Sequence, residues 1–434
     1  MKLAVFTSEY PTRVATFFER DMRALIEVGI DIEIFACRPL DAGAWQYSLD
    51  LLDEARLPRS KVHHVDVGES MAHVLRMLVR RPATLARDTA ASLASAARYG
   101  FMPFAKTAYA LPKAWAWAAD DRVDRFDHVL GYWGNYAGTC AYAFHRLLGR
   151  TVPFSLWLHA GTDLYRTPVF MRQKLAYADN IITCCDFNRG YILQEYAAAV
   201  PGLAHKVHVC HHGLDLGGFP FELDGRTSQR VVAVGRLASR KGFDYLLRAA
   251  QLLRARAVEV TVELVGDGDE RGALERLAAE LGIAEHVHFR GWLPFPDARR
   301  AMSEATLLVH PSTGLGDGLP NVVREAMALG TPVIASRVAG IPDALANGCG
   351  VLVEPCDPAA LADAIRELLG DPARRRSIAI RARQRVEEHY DLWRNGARLA
   401  RLLRTSHRVG AVPEAARARR RSGQAPAQPE LPRG

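Results

Sequence analysis

The chain has 434 residues, too many for one hydrophobic core, so two domains are expected. Its composition, 49% apolar and 24% charged, is ordinary for a soluble α/β protein. The net charge is +8, but residues 408–434 carry six Arg against two Glu, so half the excess sits in the tail and the rest is too mild for a nucleic-acid binder. Seven Cys, an odd number with no CxxC spacing and one adjacent pair at Cys184-Cys185, exclude a disulfide framework and fit reduced thiols in a cytoplasm.

KLAVFT at the N-terminus reads as a short strand with an immediate turn, too short in its apolar run for a signal peptide. A helix over about Phe17–Val28, then Gly29, then the strand DIEIFACR complete a βαβ unit, which implies a parallel sheet with a right-handed crossover. Residues from about Glu69 to Ala119 are alanine-rich with helical spacing and predict two or three helices. Basic residues there, such as Arg76, Arg80 and Arg81, and the basic tail make an anionic membrane surface a candidate partner, beside the plain reading of solubility. HVLGYW, PFSLWLH, Ile181–Cys184 and Lys206–His211 read as further strands. Gly213–Ser228 is rich in Gly and Asp, lacks periodicity and reads as a linker.

The second half alternates strand and helix. QRVVAVGRL precedes a helix at Asp244–Arg254, and VEVTVELVG precedes one at Glu270–Leu281. HVHFRG follows; TLLVHPS leads to a helix started by Pro320, TPVIAS to a short helix at IPDAL, and GVLVEP to PAALADAIRELLG. Two more helices come after Pro372, the last over about Leu392–Leu403. The domain division is therefore 1–212, a linker at 213–228, a second domain at 229–387, a returning helix at 388–407, and a disordered basic tail at 408–434. Each half is a doubly wound parallel sheet, and ligands bind such a pair in the cleft at the carboxyl ends of the strands. No window holds the roughly 18 or more apolar residues that span a bilayer.

The richest segment is GDGLPNVVREAMALGTPVIAS, Gly316–Ser336. A glycine-rich loop feeding a helix N-terminus is an anion site, because free N–H groups and the helix dipole point at the ligand. Asp317 and Glu325 add acceptors for hydroxyl groups, and an anion flanked by hydroxyls describes a nucleotide sugar. The plainer reading is that Asp317 caps the helix and Glu325 is surface charge, though Glu325 sits in a mainly apolar helix, where a carboxylate has a partner. Arg236 closes one strand and Lys241 opens the next helix; two cations there neutralise a diphosphate, or are solvated loop charges. The GDG at Gly266–Gly268 brings backbone N–H groups to a ligand or is a tight turn, and Trp292 flanks a base or simply packs. His159, past a buried strand with Gly161 and Asp163 behind it, is a sugar contact or a satisfied structural histidine. His63-His64 and His211-His212 are no metal pairs, since adjacent side chains on a strand face opposite ways.

Together these residues resemble the family 4 glycosyltransferases of GT-B fold. The likeness runs through VGRLASRKG, ELVGDG, VHFRGWLP, PSTGLGDGLPNVVREAMALGTPVIAS and AGIPDALANGCGVLVEPCDP. It is thinner in the first half, at SLWLHAGTDLY and HHGLDLGGF, and looks closest to bacterial exopolysaccharide and lipopolysaccharide transferases. The resemblance implies retaining, metal-independent transfer from a nucleotide-diphosphate sugar, with no other cofactor. By motif, Arg236 and Lys241 would hold the diphosphate, Glu325 the ribose hydroxyls, and Asp317 would stand near the donor sugar. Gly318, Leu319 and Asn321 would touch sugar and phosphate, with Gly235, Gly266 and Trp292 also on the donor side, and His159 would lie near the reacting carbon. Two departures stand out: Asp317 replaces the family's glutamate, and TSEYPTRVATFF replaces the usual Gly-Gly loop after the first strand.

The expectation is an enzyme transferring a sugar to a glycan or lipid-linked glycan acceptor for the cell surface, in the cytoplasm at the inner face of the plasma membrane. A sugar-nucleotide 2-epimerase of related fold and a non-catalytic nucleotide-sugar-binding subunit are the alternatives. A nicotinamide dehydrogenase is disfavoured, because no G-x-G-x-x-G follows the first strand.

Overall fold

The structure, a computed structural model, describes residues 1–12, 16–45, 55–65, 79, 82–119, 126–149 and 152–407. Arg76, Arg80, Arg81 and the tail 408–434 lie outside the described residues. The first domain contains β1 (Lys2–Thr7), α1 (Thr16–Glu27), β2 (Asp31–Ala36), β3 (Val62–His63), α2 (Pro82–Ala97), α3 (Phe101–Ala119) and β4 (His128–Gly131). It continues with α4 (Tyr136–Leu148), β5 (Phe154–Leu158), α5 (Met171–Tyr177), β6 (Asn180–Thr183), α6 (Asp186–Tyr196), α7 (Leu203–Lys206) and β7 (Val207–Val209). The second contains β8 (Thr227–Val234), α8 (Phe243–Ala255), β9 (Thr261–Val265), α9 (Arg271–Glu280), β10 (Val287–Gly291), α10 (Phe295–Glu304) and β11 (Ala305–His310). After it come α11 (Asn321–Leu329), β12 (Val333–Ser336), α12 (Ile341–Ala344), β13 (Val351–Val353), α13 (Pro358–Gly370), α14 (Pro372–His389) and α15 (Leu392–Thr405).

Both sheets are parallel throughout, in the orders β3-β2-β1-β4-β5-β6-β7 and β10-β9-β8-β11-β12-β13. Helices cover both faces, which is why β1, β5 and β11 carry continuous apolar runs instead of alternating ones. The strand order reverses between β1 and β4 in one sheet and between β8 and β11 in the other. Those two switch points are where an open α/β sheet leaves a crevice for ligand.

Five helices fall in stretches that periodicity left blank: α4, α5, α6, α7 and α10. α4 nevertheless carries both end signals, an Asn135 cap accepting from the Ala137 N–H at 3.0 Å and Gly149 in the left-handed conformation after its last turn. The stretch read as linker is firmer than its composition suggests, and its last two residues already belong to β8. Leu214 is buried; its N–H donates to Tyr390 O at 2.7 Å, and its carbonyl accepts from Leu392 N–H at 3.0 Å. At Gly213 a Cβ would lie 2.2 Å from Leu392 Cα, so the returning chain presses directly on the crossover between domains.

α15 then crosses back onto the first domain. Gly396 lets it lie flat on α1, since a Cβ there would meet Ala24 Cβ at 2.5 Å. Arg404 donates to Val28 O at 2.6 Å and ties down its far end. Gly396→Val should therefore lift α15 from α1 and lower stability by about 1–3 kcal/mol, the usual cost of overpacking. Thermal melting of the variant checks this; an unchanged midpoint would mean that the helix is only loosely applied.

Candidate active site between the two sheets

The second domain's edge is built from stacked strand-end turns. The Gly235 N–H donates to Val265 O at 2.9 Å and the Gly266 N–H to Gly291 O at 2.8 Å, linking the ends of β8, β9 and β10. Gly266 has φ +137°, and a Cβ on it would stand 2.0 Å from Gly235 O. The glycine is therefore demanded by the packing of one turn on the next. Arg236 leaves this edge into solvent and pairs with Asp269 at 3.0 Å, while Lys241 ends a single 3₁₀ turn, its aliphatic stem running past Gly235. Arg240 O in that turn accepts the Thr313 N–H at 2.9 Å and the Ser312 hydroxyl at 3.0 Å. The basic turn is thereby fastened to the loop between β11 and α11, at the switch point. Trp292 lies just past β10, with 49% of its surface exposed.

α11 starts after Pro320, and among the described residues no side chain caps it. Asn321 accepts from Arg324 instead, so the first-turn N–H groups of α11 lack a side-chain acceptor among the described residues. Before it, Leu315–Asp317 form one 3₁₀ turn; the Asp317 side chain is outside the described residues. Gly318 is buried against the first domain, where a Cβ would come within 2.8 Å of both His159 O and Ala160 Cβ. Gly316 O likewise faces Gly161. The glycine loop is thus where the two domains touch across the cleft, and Leu319 behind it is buried.

Glu325 meets the first domain through one of its carboxylate oxygens. Its Oε1 accepts from both Nη1 and Nη2 of Arg20 at 3.0 Å, with the two side chains 6% and 3% exposed. Arg20 belongs to α1, so this ion pair joins the domains, and the guanidinium also lies over the Phe295 ring at 5.1 Å. The carboxylate read as a ribose ligand is here committed to an arginine of the other domain. Arg324, fully buried beside it, donates to His212 O and to Asn321.

On the first domain, Asp163 organises the loop after β5. Its carboxylate accepts the N–H groups of Ala160 at 2.9 Å, His159 at 3.0 Å and Gly134 at 3.2 Å. Buried Lys174 donates to Gly134 O and to Thr139 Oγ1 at 3.0 Å, and burial lowers its pKa to about 7. The His159 ring is 5% exposed, and neither ring nitrogen has a hydrogen-bond partner among the described residues; Nδ1 is 3.8 Å from the Asp163 carboxylate. Trp133 lies at 4.3 Å between ring centroids, Tyr132 at 4.7 Å, and His212 is stacked at 5.0 Å with an interplanar angle of 2°. Burial is the main cause holding the His159 pKa below the ordinary imidazole value.

His212 behaves oppositely. Burial opposes its charge, but the Asp21 carboxylate at 2.6 Å and neighbouring Cys184 outweigh burial and push its pKa up to about 9. Asp21 Oδ2 also accepts the Tyr132 hydroxyl at 2.5 Å. The Cys184 thiol is pulled well below the usual thiol range, first by a hydrogen bond with Cys185 and then by His212. Arg20, Asp21 and Tyr132 escaped the sequence reading, and His212 entered it only as a rejected metal ligand. The available signal was Glu19-Arg20-Asp21, three charges in a row inside a helix that otherwise buries an apolar face.

Folded His212 keeps its proton from about pH 6.5, its ordinary value, up to about pH 9. Its contribution to stability is therefore complete below the lower value and is lost as pH rises through the higher one. Asp21→Asn should melt well below wild type near pH 6, by an amount on the order of 2–3 kcal/mol, and the gap should narrow by about pH 10. Melting curves of both proteins across that range are the check; a gap independent of pH would mean that His212 folds neutral.

Residues 228–371 match the profile of the family described as "Glycosyl transferases group 1". A GDP-mannose-dependent alpha-(1-6)-phosphatidylinositol monomannoside mannosyltransferase of Mycolicibacterium smegmatis is 34% identical over 248 residues, 54% of this chain and 65% of that protein. The amylovoran biosynthesis glycosyltransferase AmsK of Erwinia amylovora is 27% identical over 90% of this chain and 96% of its own length. Among solved structures, HepE of Anabaena in complex with UDP aligns with a TM-score of 0.64 at 18% identity, over 93% of this chain and 99% of that one. Sucrose-phosphate synthase of Thermosynechococcus elongatus aligns with a TM-score of 0.69 at 19% identity, over 93% and 98%. These two likenesses speak to the fold, two parallel-sheet domains about a cleft. Over residues 228–371 the chain is similar to the group 1 glycosyltransferases, and its two parallel-sheet domains have the GT-B architecture.

Proposed function

We propose that this chain transfers a sugar from a nucleotide-diphosphate sugar to a glycan or lipid-linked glycan acceptor, with retention at the anomeric carbon and no metal ion. It would act in cell-surface polysaccharide or glycolipid synthesis at the cytoplasmic face of the membrane, whose anionic surface would be a further contact. One observation carries the reading: the basic turn at Arg236–Lys241, the uncapped start of α11 and the His159 loop converge on the contact at Gly318. Two cations and a helix N-terminus are suited to a departing diphosphate. Arg236, exposed and paired with Asp269, is able to turn toward it. Gly235 and Gly266 would allow backbone approach to the donor, Leu319 and Asn321 would line it, Trp292 would flank the base, and Asp317 would stand near the donor sugar. Glu325 would reach ribose hydroxyls from its seat beside Arg20.

Charge on the leaving diphosphate grows as the glycosidic bond lengthens, so fixed cations there favour the transition state over the bound donor. His159, kept neutral by burial, has unfilled hydrogen-bonding capacity at both ring nitrogens for a hydroxyl of donor or acceptor. The acceptor hydroxyl would form its new bond on the face the diphosphate leaves, with its proton passing to a departing phosphate oxygen. No covalent enzyme intermediate is invoked.

Thermal shift against UDP-, GDP- and ADP-sugars, followed by turnover of the stabilising one, tests the proposal. A true donor at a hundredfold excess over its Kd should add about 2.7 kcal/mol. Arg236→Ala and Lys241→Ala should each weaken donor binding about tenfold to a hundredfold. Glu325→Ala strands a buried arginine and should cost about 3–5 kcal/mol of stability. Replacing both Arg20 and Glu325 with Leu should recover much of that stability without recovering donor affinity. A full panel with neither binding nor turnover refutes the proposal. Free nucleotide diphosphate and an isomerised sugar without acceptor would indicate the epimerase, and binding without turnover the non-catalytic subunit. NMR of the product anomer tests retention, and assay in EDTA tests metal independence.

A further inference from the structure

At the first domain's own switch point, between β1 and β4, lies a cavity of about 450 Å³. Its walls include Ser8 after β1, Arg38 after β2, Trp133 and Asn135 after β4, and Met102 and Lys106 from α3. It adjoins the candidate active site directly, because Asp163 and Ala160 also line it and Trp133 is the ring packed against His159 at 4.3 Å.

The charges around it are unequal in availability. Arg38 is spent on Glu9 at 2.5 Å and on the Tyr136 hydroxyl at 3.1 Å. Asp163 is buried and spent on three backbone N–H groups. Lys106 is exposed and has no ion-pair partner among the described residues. The uncommitted charge of the cavity is thus one ammonium group, a point cation suited to phosphate.

Beside this lysine the chain exposes apolar side chains that a solvated surface does not need. Of the eleven most exposed large apolar residues among those described, five fall between Tyr99 and Tyr109. Phe101 is 80% exposed and Met102 59%, at the free tip where α2 turns into α3. Such a concentration marks an interaction surface. It carries exposed Arg98 as well as Lys106 beside aromatic rings. An apolar tip ringed by cations and tyrosines is the pattern that enters the boundary of an anionic lipid layer. Met102 and Lys106 stand one helical turn apart, and both also line the cavity, so the apolar tip and the phosphate-seeking cation belong to one continuous surface.

We propose that this cavity receives the phosphate-bearing head of a membrane-anchored acceptor, with Lys106 recognising the phosphate while Phe101 and Met102 sit in the lipid that carries it. This rests on the reading of the chain as a glycosyltransferase, and it narrows the acceptor to an anionic amphiphile presented by the bilayer. The cavity's opening beside His159 would then bring the acceptor hydroxyl to the donor without the lipid leaving the membrane.

Flotation of the purified full chain with phosphatidylcholine vesicles, with and without phosphatidic acid, tests this. The wild type should partition more strongly to the vesicles bearing phosphatidic acid, and soluble glycerol phosphate should not displace it. Lys106→Ala should weaken that partition about fivefold, the effect of one basic residue at an anionic surface, and leave binding to phosphatidylcholine alone unchanged. The double variant Phe101→Ser/Met102→Ser should weaken partition to both vesicles, on the order of tenfold. Both variants alter exposed side chains and should melt at the wild-type temperature, which separates loss of binding from loss of fold. Equal partition to the two vesicles, wild-type partition of either variant, or displacement by glycerol phosphate overturns the proposal. So does a wild-type dimer in sedimentation that the double variant makes monomeric, since the tip would then be a contact between copies. Wild type that floats as expected but gains no stability from any nucleotide sugar refutes the transferase reading and not the lipid surface.

Discussion

The pairing of Arg20 with Glu325 is the constraint on which the arrangement of the two domains depends. Each side chain is almost wholly removed from water, so each charge has forfeited hydration that only the other can replace. Neither domain contains its own answer to this, because the arginine is on α1 and the carboxylate on α11. A buried ion pair is poor evidence of added stability, since two apolar residues of similar volume serve as well or better. Its consequence is geometric: the two sheets have one low-energy way of facing each other at this point. α15, laid across α1 through Gly396, and the bond pair between Leu214 and the chain at Tyr390–Leu392 hold the same relation from outside the cleft.

The same helix that supplies Arg20 supplies Asp21 one position later, and through it the electrostatics of the first domain's floor. Asp21 takes hydrogen bonds from Tyr132 and His212 on the same oxygen. The cation it favours on His212 lies flat against His159 at 5.0 Å. A second positive charge at that distance is disfavoured, which adds to burial in holding His159 neutral. Two histidines in ring contact thus have separate duties. One is a charged structural group, and the other is a neutral ring with open nitrogens. Sequence spacing cannot make this distinction, since it depends on which ring meets the carboxylate.

Fold and site were legible to different depths for physical reasons. The second domain was readable nearly element by element, because its buried strands are short apolar runs separated by helices with clear punctuation, such as Pro320 before α11 and Asp357 capping α13 at both Ala359 and Ala360. α4 was lost because a helix packed on two sides shows no amphipathic stripe to detect, α6 and α10 because each buries only two residues, and α5 and α7 because 7 and 4 residues are too few to show a period. Site residues carried by local motif, such as Arg236, Lys241 and His159, stand at the sheet edges where the pattern put them. The partner of Glu325 was not legible, being 305 positions away in sequence and fixed only when the domains are docked. His212 was misjudged by a sound rule applied to the wrong question: adjacent histidines do not chelate one metal, but each can still find its own partner.

α11 is held from the first domain at two places. The loop before it, at Gly316–Gly318, lies against His159, Ala160 and Gly161 with room for backbone only, and its middle is held by Arg20 through Glu325. A rotation of one sheet against the other about Gly213–Leu214 therefore has to displace α11 from two contacts at once. One contact is close steric packing that fades within an ångström or so, and the other is a buried charge pair that stays costly until water reaches it. The glycine contact opens early in such a motion and the ion pair late. The loop feeding the α11 N-terminus can thus part from the His159 loop, making room where a diphosphate and a sugar would lie, while Arg20 still holds the middle of the helix. Glycine at position 318 and glutamate at position 325 then serve one end: the first lets the cleft close without a side chain in the way, and the second keeps α11 tied to α1 as it closes.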